Sequence, residues 1–411
     1  MEAPNKDFRF WIRIAFLNLM IVAFLGVIMR YKIAYSLPFI NQKNLLQSHS
    51  HFAFAGWVTQ LLMAMMVNYL HTKGHSNAFQ KYKPVLYANL LTAYGMLLTF
   101  PFIGYKMLSI IFSTLSIFAS YWFVIKFWID LNKLPQKNSS VYWFKAALLF
   151  NVISSLGAYS LAYMITMRSI HPDNYLASIY FFLHFQYNGW FFFACMGLLA
   201  HRLHLWGANN RNLNIVFLLF AFACIPAYLL SALWLSVPNW FYILVVVAVG
   251  LQLTGWLLLV KTTKKLLPVI KNQIPLLTQR LFLLSAIALT IKLLLQTGSV
   301  IPSLSILAFG FRPIVIGYLH LVLLGVITLF LLSYVFAFRF VTLTKSSQLA
   351  LIVFTIGILL NELFLMIQGI ADLYYVLVPK INLLLLGAAI VLLLGMMLLN
   401  IAQKMAYGKL E

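Results

Sequence analysis

The chain has 411 residues, of which 63% are hydrophobic and 9% are charged, and its net charge at neutral pH is +22. This composition excludes an ordinary soluble protein, because apolar runs of about 18 residues or more recur along it and each can cross about 30 Å of hydrocarbon. The basic residues are spread over many loops and form no single patch, which argues against a nucleic-acid partner.

In chain order, the apolar runs predict an all-α integral membrane protein with twelve transmembrane helices and no sizeable soluble domain between them. The predicted spans lie near 11–29, 47–70, 85–104, 107–128, 142–166, 176–200, 213–235, 239–260, 281–300, 313–337, 348–370 and 377–401. Lys and Arg fall mainly on alternate loops, so the positive-inside rule places both termini in the cytoplasm, as expected in a bacterial inner membrane. The lipid bilayer is the first predicted partner.

A histidine followed five residues later by a glycine occurs on the second, sixth and tenth predicted spans. The pairs are His51 with Gly56, His184 with Gly189, and His320 with Gly325. Successive histidines are 133 and 136 residues apart, close to one third of the chain. The sequence therefore predicts a single membrane domain of three parallel repeats, each with four spans. A pseudo-threefold axis along the membrane normal would relate the repeats. The approximate repeats are 1–137, 138–270 and 271–411.

Three histidines at similar depth on equivalent helices indicate metal ligation, although one isolated histidine would more simply bond a neighbouring carbonyl. His49 and His51 point about 200° apart on an α-helix, so they cannot share one ion but can serve two partners on opposite flanks. A haem suits this arrangement, because its iron takes an axial imidazole while the porphyrin edge fills a gap between helices. The glycines leave room for such a ring or for a closely packed helix.

The segments "HSHFAFAGW" at 49–57 and "HFQYNGW" at 184–190 resemble two motifs of haem–copper oxidase subunit I, including its nitric-oxide reductase branch. They are similar to the HxH helix and to the sixth helix of that superfamily. The NnrS family of nitric-oxide-responsive haem membrane proteins is also similar, with HxH on the second span. The resemblance implies twelve helices in three arcs of four, haem b, and electron transfer or reduction at haem.

Three departures from the superfamily pattern narrow the expected chemistry. The HxH lies on the second span and not on the tenth, where Tyr318 stands in the position of the first histidine. Asn188 replaces the glutamate of the helix-six motif, and the seventh span has no adjacent histidine pair. We therefore expect neither copper nor non-haem iron, because the ligand set is incomplete. Covalent c-type haem is excluded because the sequence has no CxxCH.

One or two haems b are the expected cofactor, and two assignments of the ligands stay open. If the family pattern is rotated by one arc, His51 and His184 hold a six-coordinate haem. His49 then holds a second haem, with His320 near its open face. If the pattern is not rotated, His51 pairs with His320 instead. A five-coordinate haem in an apolar pocket binds diatomic gases such as nitric oxide.

Other polar residues in or near the spans are further candidates. Those that could donate a hydrogen bond to a bound gas are Gln186, Asn188 and Tyr318. Arg312 could pair with a haem propionate or with a lipid phosphate. Lys292 and Glu362 are ionisable groups within spans, which suggests either a proton path or an ion pair between the two.

The sequence thus predicts a haem b membrane protein that handles nitric oxide or a similar gas. It would act either as a reductase-like enzyme, with a quinol or a cytochrome as electron donor, or as a protein that gives tolerance to nitric-oxide stress. A secondary transporter or channel without haem is the alternative, although many transporters have inverted or twofold repeats. A third hypothesis is a zinc ion held by His51, His184 and His320.

Overall fold

The computed structural model describes residues 6–135, 138–169, 171–235, 238, 240–301, 303–305 and 310–407, and within these ranges the chain is helical and contains no strand. The α-helices are α1 (Lys6–Ala34), α2 (Gln42–Phe52), α3 (Gln60–Thr72), α4 (Ala78–Ile103), α5 (Met107–Asn132), α6 (Ser139–Thr166), α7 (Pro172–His184), α8 (Phe192–Leu205), α9 (Asn210–Cys224), α10 (Trp240–Lys265), α11 (Leu267–Gln273), α12 (Leu276–Gly298), α13 (Arg312–His320), α14 (Leu329–Ala337), α15 (Lys345–Leu373) and α16 (Ile381–Tyr407). Three π-helical segments, π1 (Ala53–Thr59), π2 (Phe185–Phe191) and π3 (Leu321–Thr328), and a 3₁₀ helix, Pro226–Ser231, interrupt this series.

Ten helices of the described part of the chain are long and apolar enough to cross a membrane. The prediction of an all-α, multi-pass integral membrane protein is therefore confirmed at this level. The predicted spans 176–200 and 213–235 are not among the ten. The first lies in a continuous helical run, 172–205, that carries three polar side chains in its middle and is less apolar for that reason.

The predicted span 213–235 differs from the structure in its second half. Helix α9 has 15 residues and ends at Cys224, after which the chain forms the 3₁₀ helix that starts at Pro226. Proline has no backbone N–H and its ring clashes with the preceding turn, so it ends the α-helix here. The expectation of one continuous α-helix over this range is wrong.

The chain divides into two compact units, one built from the described residues of 1–123 and 331–411 and the other from those of 124–330. In the first unit α1 packs through aromatic rings, since Phe16 stacks on Phe336 with centroids 5.9 Å apart. Helices α15 and α16 approach closely at two glycines. A Cβ added at Gly395 would lie 2.6 Å from the backbone nitrogen of Phe354, so this contact requires glycine.

In the second unit α6 is the central element, because it packs against α7, π2, α8 and α9. Trp143 on α6 is buried among aromatic rings and lies 5.0 Å from the ring of Phe193 on α8. Gly157 on the same helix lets the backbone of α7 approach, since a Cβ there would lie 2.6 Å from the carbonyl oxygen of Ser178. These contacts hold α7 and α8, which flank π2 in the chain, against α6.

Candidate functional site

A π-helical segment follows each of the three repeated histidines. His51 lies two residues before π1, while His184 and His320 directly precede π2 and π3. Each segment also contains the glycine that stands five residues after its histidine. Segments of π-helix are rare and occur frequently at functional sites. The three sequence motifs thus share one local backbone conformation.

In each copy a side chain from a neighbouring helix donates a hydrogen bond to a carbonyl of the π segment. The donors are Asn18 to Gly56 at 2.6 Å, Asn89 to Ala55 at 3.0 Å, the Cys224 thiol to Asn188 at 3.9 Å, and Ser285 to Val326 at 2.8 Å. A π turn alters the regular i to i−4 bonding of an α-helix, so its carbonyls need other donors. The neighbouring helices supply them.

The polar side chains that contact the π segments from the first helix of each repeat lie at similar positions of the repeats. Asn18 and Asn151 each stand 33 residues before the repeated histidine of their own copy. Asn18 donates to π1, while Asn151 accepts a bond of 3.1 Å from the Nε2 of Gln186 in π2. Ser285 stands 35 residues before His320 and donates to π3. The first helix of each predicted repeat therefore contacts the π segment of the second through a polar side chain.

Replacing Asn89 by leucine is expected to destabilise the first unit by about 1–3 kcal/mol, because it leaves buried acceptors without a donor. The Asn89 amide donates to the Ala55 carbonyl and, at 2.7 Å, to Oε1 of Gln60. The measurement is the thermal melting midpoint of the purified protein in detergent. Asn77→Leu is the control, since the exposed Asn77 precedes the same helix without a side-chain capping bond. Equal midpoints for both variants would contradict the assigned role.

His51 has both ring nitrogens close to oxygen atoms of unit 1. Its Nδ1 donates to the carbonyl of Gln47, one turn earlier, at 3.1 Å. The Nε2 then carries the lone pair and accepts from the hydroxyl of Tyr105 at 3.2 Å. Tyr105 is 52% exposed, so its side chain can turn away without breaking a packed core.

His49 lies on a different flank of α2, as the sequence predicted for residues two apart. Its ring faces α1, where a Cβ added at Gly26 would lie 3.7 Å from the Cε1 atom of His49. Both His49 and His51 are half-buried. The absence of a side chain at Gly26 therefore leaves space beside the His49 ring.

His320 repeats the geometry of His51 in the other unit. Its Nδ1 donates to the carbonyl of Ile316, again one turn earlier, at 2.8 Å. The neutral imidazole therefore carries its lone pair on Nε2. Tyr318, two residues earlier, contacts the ring of Tyr187 with centroids 6.4 Å apart. Arg312 begins the same helix and is exposed.

His184 is bonded differently from the other two repeated histidines. It is buried, and its Nε2 donates to the carbonyl of Cys224 at 2.8 Å. Its Nδ1 therefore accepts, and the donor is Nδ2 of Asn188 at 3.1 Å. Both nitrogens are thus occupied by protein groups, in a hydrogen-bonded link between π2 and α9.

The remaining predicted site residues are divided between the two units, with Lys292 and Gln186 in unit 2 and Glu362 in unit 1. Lys292 is buried on α12 in unit 2 and lines a small cavity together with Asn188 and Cys224. Glu362 is half-buried on α15 in unit 1, where the Asn361 amide donates to its carboxylate at 3.1 Å. Gln186 is buried and donates to Ser154 at 2.7 Å as well as to Asn151.

Several residues of these sites escaped the sequence reasoning. Cys224 is buried and in no disulfide; its carbonyl accepts a hydrogen bond from His184, and its thiol donates to the Asn188 carbonyl of π2. Gln252, which lines the Lys292 cavity, carries no sequence signal at all. Asn18 and Asn151 could have been found, because they occupy the same position of the repeat.

The described residues contain no group of three or more His, Cys, Asp or Glu side chains that could hold a metal ion. No protein-family model matches the chain, and no curated protein matches its sequence. The function must therefore be argued from the residues themselves.

Proposed function

We propose that the protein binds haem b through its repeated histidines and handles nitric oxide or a similar diatomic gas. The observation that carries this proposal is the shared geometry of His51 and His320. Metal-bound imidazole typically donates its other ring nitrogen to a carbonyl or carboxylate, which fixes the tautomer and orients the ring. In both residues Nδ1 makes this bond, so Nε2 has the lone pair that an iron atom requires.

The histidines differ in how well they fit haem. His51 and His320 fit, because the Nδ1 bond of each orients its ring, and ligation at His51 would replace the hydrogen bond from the exposed Tyr105. His49 fits by position, since it lies on another flank of α2 beside Gly26. His184 fits poorly, because ligation would first have to break its bond to the Cys224 carbonyl. Of the repeated histidines, the proposal therefore favours His51 and His320 over His184 as iron ligands.

The number of spans and their arrangement in repeats are part of the same proposal. We infer twelve spans in three repeats of four, with 172–205 as the sixth span and α9 with its 3₁₀ extension as the seventh. The common π segments and the polar contacts that the first helix of each copy makes with them support this count. The alternating Lys and Arg loops support cytoplasmic termini in a bacterial inner membrane.

The polar residues beside the histidines would serve a bound gas and its redox chemistry. Haem iron supplies gas binding and one-electron transfer, and the surrounding donors tune both. Tyr318 is the best placed of the predicted donors, because Gln186 and Asn188 already donate to protein groups. Arg312 is exposed and available to an anionic group such as a propionate. A quinol or a cytochrome would be the electron donor.

An absorbance spectrum of the purified protein tests the proposal directly. We expect a Soret band, split visible bands on reduction, and a spectral shift when nitric oxide is added to the reduced protein. The haem should be extractable, because it is not covalently bound. A colourless preparation that contains zinc would favour the three-histidine zinc site. A colourless preparation without metal would favour a transporter or channel.

A further inference from the structure

Lys292 is a buried cationic side chain without a counter-charge in its own unit. It is 6% exposed on α12, and it has no hydrogen bond or ion pair with any residue that the structure describes. The segment 124–330 contains only two acidic residues, Asp130 near the end of α5 and the exposed Asp173 in the first turn of α7. Burying an ammonium without a partner is costly.

The side chain of Lys292 faces a cavity enclosed by α8, α9, α10, α12 and π2. About 10 Å³ of it can hold the centre of a water-sized particle, which is room for one water or a monatomic ion. The polar lining comes from Asn188, Cys224, Gln252 and Lys292, and the apolar lining from Phe192, Phe193 and Phe220. The aromatic rings that line the cavity leave no space in it for a large hydrated ligand.

Gln252 supplies a second, independent indication of a ligand in this cavity. It is 5% exposed on α10, and its Oε1 atom is buried without a hydrogen-bond partner among the described residues. The oxygen and nitrogen of a glutamine amide can exchange places by rotation, so this group can present either a donor or an acceptor. An unpartnered amide and an unpartnered amine thus line one water-sized space.

Another part of the cavity wall, formed by Asn188 and Cys224, is held in place by hydrogen bonds. His184 donates to the Cys224 carbonyl, Asn188 donates to His184, and the Cys224 thiol donates to the Asn188 carbonyl. This closed set of bonds ties π2 to α9, so the cavity is kept open by structure and not by chance packing. A preformed space lowers the cost of binding a small ligand.

We propose that this cavity binds a small monovalent inorganic anion, with the ammonium of Lys292 as its counter-charge and the amide of Gln252 as a hydrogen-bond donor. The water-sized space limits the ion to a small monatomic one, for which chloride is the probe, and excludes a polyatomic anion. Binding neutralises the buried cation, which removes the penalty described above. The site shares a wall with His184 but uses neither His51 nor His320, and its two binding groups do not require bound haem.

The test uses the purified full-length protein in detergent, with gluconate replacing chloride at constant ionic strength. Equilibrium dialysis with radiolabelled chloride should give one saturable site per chain, and chloride should raise the melting midpoint by mass action. In Lys292→Met we expect at least a tenfold loss of chloride affinity and no chloride-dependent stabilisation. Lys264→Met removes an exposed lysine of α10 and should behave as the wild type.

Gln252→Leu provides a second variant that leaves the cation in place, and its chloride affinity should fall severalfold. It also keeps the proposal testable if Lys292→Met does not fold, because an unchanged affinity in Gln252→Leu would then overturn it. The proposal is likewise wrong if the wild type shows no saturable chloride, or if Lys292→Met binds as much as the wild type. The amine of Lys292 would then be neutral and solvated by a water molecule.

Discussion

Replacing His51 by alanine is expected to remove about half or more of the bound haem, because either ligand assignment uses this residue. In one assignment it pairs with His184, and in the other with His320. Its Nδ1 is already bonded to the Gln47 carbonyl, so the ring is oriented for ligation through Nε2. The measurement is the haem content per protein, by extraction, together with the visible spectrum of the reduced form.

The matched control is His171→Ala, an exposed histidine that precedes α7 without a side-chain capping bond. It should keep the full haem content. A comparison of His184→Ala with His320→Ala then separates the two assignments, and we expect the larger loss in His320→Ala. If the alanine variants of His49, His51, His184 and His320 all kept full haem and unchanged spectra, the ligand assignment would be refuted.

The all-α, multi-pass character was predictable because apolar run length is a strong signal, and ten of the twelve predicted spans correspond to helices that satisfy it. The remaining two mark the limits of that signal. The helical run 172–205 has polar residues in its middle, which lower its hydropathy, and those residues are paired inside the protein. Pro226 shortened the predicted seventh span, and the proline rule could have shown this in advance.

The sequence shows that the histidine motif is repeated, but it does not show that the backbone after each histidine is π-helical. No residue preference distinguishes a π turn from an α turn strongly enough, since the difference depends on which neighbouring side chains accept or donate. Asn18 and Asn89 complete the bonding of π1 from two other helices, and only the folded unit reveals that pairing. The cavity at Lys292 is a similar case, because it joins side chains from five separate elements.

The role of the motif glycines was left open by the sequence, between room for a porphyrin ring and close helix packing. In the structure the three positions differ. A Cβ added at Gly189 would lie 2.6 Å from the Cβ of Phe150 on α6, and one at Gly325 would lie 3.1 Å from the Cβ of Ala288 on α12. At Gly56 the nearest atoms are those of Phe52 in the preceding turn. Helix packing therefore accounts for Gly189 and Gly325.

Replacing Gly189 by alanine is expected to destabilise the second unit by about 1–3 kcal/mol, the usual effect of overpacking a core. The Cβ of Phe150 cannot move aside easily, because its ring packs at 4.9 Å from Phe193 and at 5.8 Å from Phe185. Either π2 or α6 must shift, and a shift of π2 would disturb the bond between Asn188 and His184. The melting midpoint should fall by about 3–10 °C for a unit of this size.

Gly250→Ala is the matched control in the same unit. Gly250 lies on an exposed face of α10, and an added Cβ would meet no atom within 4 Å. Alanine is favoured over glycine inside a helix by about 0.5–1 kcal/mol, so this variant should melt at the same temperature as the wild type or higher. Opposite shifts from the same chemical change would isolate the contact with Phe150 as the cause. If Gly189→Ala were as stable as Gly250→Ala, π2 would not be packed against α6 as described.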